Sequence, residues 1–202
     1  MFYAVVGLLG AALLPTADGA VIQIAAPGGF ASATLVETFE DGNPNSPGIT
    51  FDNTAGIFQA DLVTGNVTPS GNLGVGETAD SEPLRIAFSD DRYEIGAWFG
   101  NDDFGLAFLA ILEIFDAGNN SLGSVTVAAN RNDFADQFIG LRSDTPFRFA
   151  EFRYQRPQAG DLLVYIDDLY LDPVEVIVPE PGSIGLAMTG LGVAFALRRR
   201  RG

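Results

Sequence analysis

Residues 111–127 read Ile-Leu-Glu-Ile-Phe-Asp-Ala-Gly-Asn-Asn-Ser-Leu-Gly-Ser-Val-Thr-Val. Two runs of strand-favouring residues, 111–115 and 121–127, flank the five turn-forming residues Asp116–Asn120. Glycine and asparagine tolerate the positive φ that a tight connection between two strands needs. This stretch therefore predicts a β-hairpin in the middle of the chain.

On both sides of the hairpin, apolar runs alternate with turn-forming residues, and no stretch keeps a helical period. A parity change between Phe147-Arg148-Phe149 and Phe152-Arg153-Tyr154 predicts a bulge at Ala150-Glu151. The segments 43–56 and 64–82 are rich in Gly, Pro, Asn and Ser, which favours loops. The pattern predicts a β-sandwich of two antiparallel sheets. Its expected strands are 34–39, 57–63, 84–88, 93–99, 110–115, 123–128, 138–141, 147–154 and 162–171.

The composition fits one ordinary domain with short appendages, since 47% of the 202 residues are hydrophobic. The net charge is -15, from 26 acidic and 11 basic residues. Every basic residue is an arginine, and four of them stand together at 198–201. A surface this acidic repels phosphate backbones, so the charge argues against nucleic-acid binding and suits an extracellular protein or one that collects divalent cations.

The chain contains neither cysteine nor histidine. Disulfides therefore cannot stabilise it, and stability must come from the core or from a metal ion. The lack of histidine removes the usual general base, the usual transition-metal ligand and the Ser-His-Asp triad. The sequence consequently favours a non-enzymatic protein.

The N-terminal segment resembles a secretory signal. Val5–Leu14 is an apolar run of h-region length, and Ala17-Asp18-Gly19 fits the small-x-small cleavage pattern. We expect a signal peptide over residues 1–19 and a sandwich over 20–177. No positive charge precedes the apolar run, so the true start codon is expected upstream. A buried first strand or helix is the alternative.

The C-terminal segment has three parts in order. Val178-Pro179-Glu180-Pro181-Gly182-Ser183 is followed by an uncharged stretch over 184–197 and then by Arg198, Arg199, Arg200 and Arg201. The prolines set an extended stalk, and the apolar stretch predicts a short transmembrane helix. The arginines would stay on the cytoplasmic side. About 14 residues are marginal for a full span, which suits a transient anchor.

This order of Pro-Glu-Pro, apolar helix and basic cluster closely resembles the PEP-CTERM sorting signal of Gram-negative bacteria. The resemblance covers residues 178–202. It implies recognition by an exosortase-type membrane protease, removal of the tail near Pro179, Glu180 and Pro181, and delivery to the cell surface or the extracellular polysaccharide matrix. A plain membrane anchor is the alternative.

Acidic residues stand at both ends of the predicted sandwich. Glu40 and Asp41 follow the first expected strand, and Asp167 and Asp168 lie in the last. In a regular strand Asp167 and Asp168 point to opposite faces, so at most one enters a given site without a bulge. We expect Asp168, with Glu40 as its partner, if the first and last strands pair. Solvated edge charges are the alternative.

The same placement is similar to jelly-roll domains of the carbohydrate-binding-module type. That resemblance implies a jelly-roll-like sandwich and a structural Ca²⁺ held by these acids. Two further acid pairs, Asp90-Asp91 and Asp102-Asp103, are either a second cation site or turn residues that cap backbone N–H groups.

Sugar binding and catalysis have their own candidate residues. Tyr93, Trp98, Phe99 and Tyr154 are the available stacking platforms, although the apolar surroundings of Trp98 favour a core position. Glu94 and Glu113 are the candidate carboxylate pair for catalysis, and the alternative is that each pairs with arginine.

Together these observations predict an exported surface or extracellular-matrix protein, structural or adhesive and non-enzymatic, with exopolysaccharide as a partner. The alternative is a lectin-like carbohydrate-binding domain or a weak carbohydrate-active enzyme.

Overall fold

Two long strands organise the fold. The computed structural model describes residues 20–52, 55–59, 69–77, 83–100, 107–130, 134–155 and 163–174. The strands are β1 (Val21–Ile24), β2 (Thr34–Glu37), β3 (Ile49–Phe51), β4 (Ala55–Gln59), β5 (Leu73–Glu77), β6 (Leu84–Gly100), β7 (Leu109–Phe115), β8 (Ser121–Ala128), β9 (Gln137–Gln155) and β10 (Tyr165–Leu171). One 3-10 turn, Pro27–Gly29, follows β1. Every strand pair is antiparallel.

The long strands β6 and β9 each contribute to two layers. Residues 84–87 of β6 pair with 149–152 of β9 and, together with β3, β7 and β8, form layer 1. Residues 94–99 of β6 pair with 137–142 of β9 and, together with β1, β2, β4, β5 and β10, form layer 2. The register shifts on both sides of Arg92, where β6 passes from one layer to the other.

Alternate side chains of both layers fill one core. Leu84 and Ile86 of layer 1 are fully buried, as are Ile95, Ala97 and Leu141 of layer 2. All belong to a single cluster of buried apolar residues. The alternation of buried and exposed positions is that of strands with one face toward a core, and the all-β, antiparallel sandwich predicted from the sequence is confirmed.

The predicted hairpin is confirmed as β7 and β8. Asn119 takes the expected positive φ of 66° in the connection. The Asp116 carboxylate accepts hydrogen bonds from the Asn120 side chain and backbone N–H, and these bonds lower the pKa of Asp116. Turn chemistry therefore specifies this connection, as the sequence indicated.

Several strand boundaries were predicted wrongly. The segments expected to be separate strands at 84–88 and 93–99 are one strand, and so are those at 138–141 and 147–154. Strand β1 was not predicted, and β3 and β5 lie within the segments expected to be loops. The misleading feature of β5 is its glycines: a Cβ on Gly74 would lie 2.3 Å from the Tyr165 hydroxyl. Glycine permits close packing there and does not mark a loop.

The bulge expected at Ala150-Glu151 is also wrong. Both residues pair regularly with β6, and the irregularity lies between Ala87 and Arg92 of β6. The parity change in β9 reflects this passage between layers: Phe147 is fully buried, whereas Phe149 is half-buried beneath the guanidinium of Arg85.

The predicted signal peptide (1–19) and sorting tail (178–202) lie outside the described residues. Within the described part of the chain, no helix is both long and apolar enough to span a bilayer.

Candidate functional site

A bulge in β10 places two consecutive acids in one neighbourhood. The pairing of β10 with β6 shifts register between Asp167 and Tyr170, and Asp168 takes a left-handed φ of 49°. The end of β10 pairs with β2, with Leu169 opposite Glu37, which is the condition on which the predicted Asp168–Glu40 site depends. The left-handed residue breaks the alternation that would otherwise send the two acids to opposite faces.

Both acids reach the same residue of the loop before β5. The Ser70 hydroxyl donates to Asp168, and the Ser70 backbone N–H donates to Asp167 at 3.4 Å. Asp167 is fully buried and Asp168 is 5% exposed. Asp168 was the expected acid of this pair, with Glu40 as its partner, and the bulge adds Asp167.

Glu40 completes the group, which we call the β10 acid cluster (Glu40, Asp167 and Asp168). One Glu40 oxygen accepts hydrogen bonds from the backbone N–H groups of Asn72 (2.8 Å) and Leu73 (2.7 Å). Gly71 permits this contact, because it has a φ of +62° and a Cβ on it would lie 2.0 Å from the Glu40 carboxylate carbon. Asp41 is directed elsewhere and accepts from the Asn43 N–H.

Burial and mutual repulsion make the charged forms of Asp167 and Asp168 unfavourable. Burial raises the pKa of Asp167 to about 7, and the neighbouring carboxylates of Asp168 and Glu40 add to the rise. Burial and Glu40 also raise the pKa of Asp168, while the Ser70 hydroxyl opposes that rise. Among the described residues, Oδ1 of Asp167 has no hydrogen-bond partner. A cation would relieve this repulsion and supply the missing partner.

The fit to a cation is incomplete in one respect. Carboxylate oxygens are the ligands that Ca²⁺ prefers, and it takes six to eight oxygens. In the part of the chain that the structure describes, no group of three or more acidic side chains is arranged as a ready-made metal site. Ion binding at the β10 acid cluster would therefore require its side chains to draw together.

The other predicted acids have separate partners. Asp90 accepts from the Ser89 hydroxyl, and Asp91 pairs with Arg148. Asp102 and Asp103 lie outside the described residues. Glu113 of β7 pairs with Arg153, so the reading of Glu113 as an arginine partner is confirmed.

A cluster of rings covers the outer face of layer 2 beside the acids. We call it the aromatic face (Phe30, Trp98, Phe138 and Tyr170). Phe138 stands at its centre, with ring centroids 5.8 Å from Phe30, 5.4 Å from Trp98 and 5.7 Å from Tyr170. Phe138 is 6% exposed, whereas the other three are half-buried.

The prediction that Trp98 lies in the core is wrong. Its neighbours Ala97 and Phe99 belong to the core cluster, and alternation turns Trp98 to the opposite face of the strand. There it pairs in register with Phe138 on β9 and with Asp167 on β10. The apolar residues around Trp98 reflect a strand with apolar side chains on both faces.

The remaining stacking candidates are dispersed. Phe99 is 1% exposed and lies in the core, and Tyr93 is 42% exposed. The Tyr154 hydroxyl donates to the carbonyls of Gly100 and Tyr165, and its ring packs on Phe108. Of the four residues considered from the sequence, Trp98 alone belongs to the aromatic face.

Two paired glycines make room for the rings. Gly96 of β6 lies opposite Gly140 of β9. A Cβ on Gly96 would lie 2.6 Å from the Phe138 ring and 2.7 Å from the Phe30 ring. The glycine pair therefore forms a slot in the sheet that the ends of both rings enter.

We expect Gly96→Ala to lower the free energy of unfolding by about 1–3 kcal/mol, the usual cost of overpacking. The methyl group would push Phe30 and Phe138 out of the slot. Urea denaturation measures the change. Gly28→Ala is the matched control, because a Cβ there meets nothing within 4 Å. Equal stability of the two variants would contradict the slot.

Glu94 holds the segment that carries Phe30. Its carboxylate accepts hydrogen bonds from the N–H groups of Ala31 (2.8 Å), Ser32 (2.8 Å) and Ala33 (2.7 Å), and it pairs with Arg142 at 2.8 Å. Burial alone would raise the pKa of Glu94, but these donors outweigh burial and lower it to about 2. Glu94 is thus a buried anion that fixes the 26–33 segment over the sheet.

Comparisons with known proteins gave different kinds of match for the sandwich and for the tail. No curated protein matches the chain. Similar solved structures include a DUF4465 family protein from Bacteroides caccae ATCC 43185 (12% identity, TM-score 0.45, 77% of this chain and 87% of that one). TmCBM61, solved in complex with β-1,4-galactotriose, is similar at 19% identity and TM-score 0.35, over 66% of this chain and 92% of that one. The CBM22-1 xylan-binding domain of Paenibacillus barcinonensis Xyn10C is similar at 13% identity and TM-score 0.39, over 69% and 92%.

These similarities are weak, so what those proteins bind is not carried over to this chain. The sequence of the tail is more specific: residues 178–201 match the family described as the PEP-CTERM protein-sorting motif. The chain therefore carries a PEP-CTERM sorting motif over residues 178–201, which indicates an exported, cell-surface protein.

Proposed function

We propose that this protein is a non-enzymatic, adhesive or structural component of the cell surface or polysaccharide matrix of a Gram-negative bacterium. The observation that carries the proposal is the sorting motif at 178–201, which follows an acidic β-sandwich. An exosortase-type protease removes the tail near Pro179, Glu180 and Pro181, and the sandwich is retained outside the cell.

Catalysis by the Glu94–Glu113 pair has little support. Each carboxylate has its own arginine, and Glu94 is held by backbone donors that keep it ionised. A general acid must hold a proton near neutral pH, which Glu94 does not.

We propose further that Ca²⁺ stabilises the sandwich at the β10 acid cluster. Glu40, Asp167 and Asp168 would hold the ion, which would act as a structural cross-link between β10 and the loop before β5. The support is the mutual repulsion of these carboxylates and the unpaired Oδ1 of Asp167.

Replacing Glu180 by alanine should abolish tail removal, because the protease is expected to read the Pro-Glu-Pro motif. The measurement is cell fractionation and immunoblotting of the full chain in a Gram-negative host with an exosortase and in the same host without it. The wild-type chain should be shortened and leave the membrane fraction only in the first host.

Ser183→Ala is the matched control, since it changes the tail outside the Pro-Glu-Pro motif. It should be processed like the wild type. Identical processing of the wild type in both hosts would refute the proposed sorting route.

A further inference from the structure

The aromatic face is separate from the hydrophobic core. Phe30, Trp98, Phe138 and Tyr170 are not members of the core cluster, and layer 2 lies between them and that core. Three of the four rings remain partly exposed. Leu35, opposite Tyr170 in β2, extends the exposed apolar area and is 43% exposed. Exposed apolar area of this kind marks a binding surface more often than isolated exposed residues do.

The backbone beneath these rings is rigid. Each ring rests on a strand or on the 26–33 segment, which Glu94 fixes through three N–H groups and which Arg142 contacts at the Gly29 carbonyl. Side chains held in this way lose little conformational entropy when a ligand binds. The face is therefore preorganised.

Hydrogen-bonding groups border the rings on one side. Trp98 donates a side-chain hydrogen bond to the Tyr170 hydroxyl, and that hydroxyl keeps its own proton to donate. Asp167 pairs in register with Trp98 itself. Ring faces next to a hydroxyl group match a sugar ring, which has an apolar C–H face and hydroxyls at its rim.

The negative charge near this face favours neutral polysaccharides over anionic ones. Asp167 pairs in register with Trp98 beside these rings, and Arg142 of the same layer is paired with Glu94. The whole chain has a net charge of -15. An anionic polysaccharide would meet like charge, whereas a neutral chain would not.

We propose that the aromatic face binds a neutral polysaccharide, with sugar rings stacked on Trp98 and Tyr170 and hydrogen-bonded to the Tyr170 hydroxyl. This inference rests on the proposed adhesive function and names its contact surface. Surface retention without any polysaccharide binding would refute the inference and leave the sorting route intact.

Trp98 is the only tryptophan in the chain, so its fluorescence reports on the proposed site directly. The full chain, purified in a detergent without a sugar headgroup, is titrated with soluble β-glucan, galactan and glucomannan, and with alginate as the anionic comparison. A saturable spectral change with at least one neutral polymer, and none with alginate, is expected.

Variants are then compared by affinity electrophoresis in the polymer that binds. Trp98→Leu keeps apolar packing but removes the stacking face, and it should weaken binding about tenfold or more, the loss of roughly 1.4 kcal/mol. Phe149→Leu is the matched control, since Phe149 is a half-buried ring on layer 1 and contacts Arg85. Its binding should equal that of the wild type. Circular dichroism confirms that both variants are folded.

Three results would overturn the inference. They are no fluorescence change with any neutral polymer, unchanged binding by folded Trp98→Leu, and binding of alginate alone. Concentration-dependent dimerisation that Trp98→Leu abolishes, without polysaccharide binding, would instead assign this face to a second copy of the chain.

Discussion

Replacing Glu94 by glutamine should lower the free energy of unfolding by about 2–4 kcal/mol at pH 7. One Glu94 oxygen accepts from Ala31 and Arg142, and the other accepts from Ser32 and Ala33. An amide has one acceptor oxygen, so its NH₂ group must face one of these sets of donors. Charge-assisted hydrogen bonds to a buried group contribute more than neutral ones, and at least two are lost.

The effect of Glu94→Gln should depend on pH with a definite sign. The folded-state pKa of Glu94 is about 2, below the ordinary value of 4.5. The stabilisation by its carboxylate is therefore complete above about pH 4.5 and declines as the pH falls toward 2. Urea denaturation at several pH values should give a difference from the wild type that is largest at neutral pH and smallest near pH 2.

Glu113→Gln is the matched control for Glu94→Gln. Glu113 also lies on a strand and pairs with one arginine, but the Arg153 side chain is 42% exposed. An exposed pair of this kind contributes about 0–1 kcal/mol. A Glu94→Gln cost no larger than that of Glu113→Gln would mean that the 26–33 segment does not depend on Glu94.

Local patterns were sufficient to predict the fold class. The turn residues in Asp116–Asn120 and the strand-favouring runs beside them are short-range features, and the hairpin that they predict is present. The acids at the two ends were expected to converge on the condition that the first and last strands pair, and β2 does pair with β10. Predictions from the sequence were wrong where the structure depends on strand register or sheet curvature, as in the passage of β6 between layers around Arg92.

The candidate sites depend on those longer-range features. Aspartate tolerates a left-handed φ better than most residues, but the order Asp167-Asp168 does not show which residue adopts it. The φ of Asp168 accompanies the pairing of β10 with β6 and β2. The aromatic face brings Phe30, Trp98 and Phe138 together from distant positions, and only the register of β6 and β9 places Gly96 opposite Gly140.

Calcium should raise the stability of the wild-type protein by about 2.7 kcal/mol at a free concentration of one hundred times the dissociation constant. For a domain of this size, that corresponds to a rise in melting temperature of roughly 5–11 °C relative to excess chelator. The physical reason is that the ion binds acids that are close together only in the folded state. Thermal melts at pH 8 with calcium and with chelator measure the difference.

Asp167→Asn separates ion binding from the general effect of salt. In chelator, this variant should be more stable than the wild type by about 1–3 kcal/mol, because it removes a buried charge that Asp168 and Glu40 repel. With calcium, its melting temperature should not rise, since the ion loses a ligand, and Asp168→Ala should likewise lose the rise.

Asp41→Asn is the control, because Asp41 accepts from Asn43 outside the β10 acid cluster and should keep the full calcium response. A calcium response that Asp167→Asn and Asp41→Asn share would refute the site, since the ion would then act elsewhere. An unchanged wild-type melting temperature would show that Glu40, Asp167 and Asp168 repel one another without binding calcium.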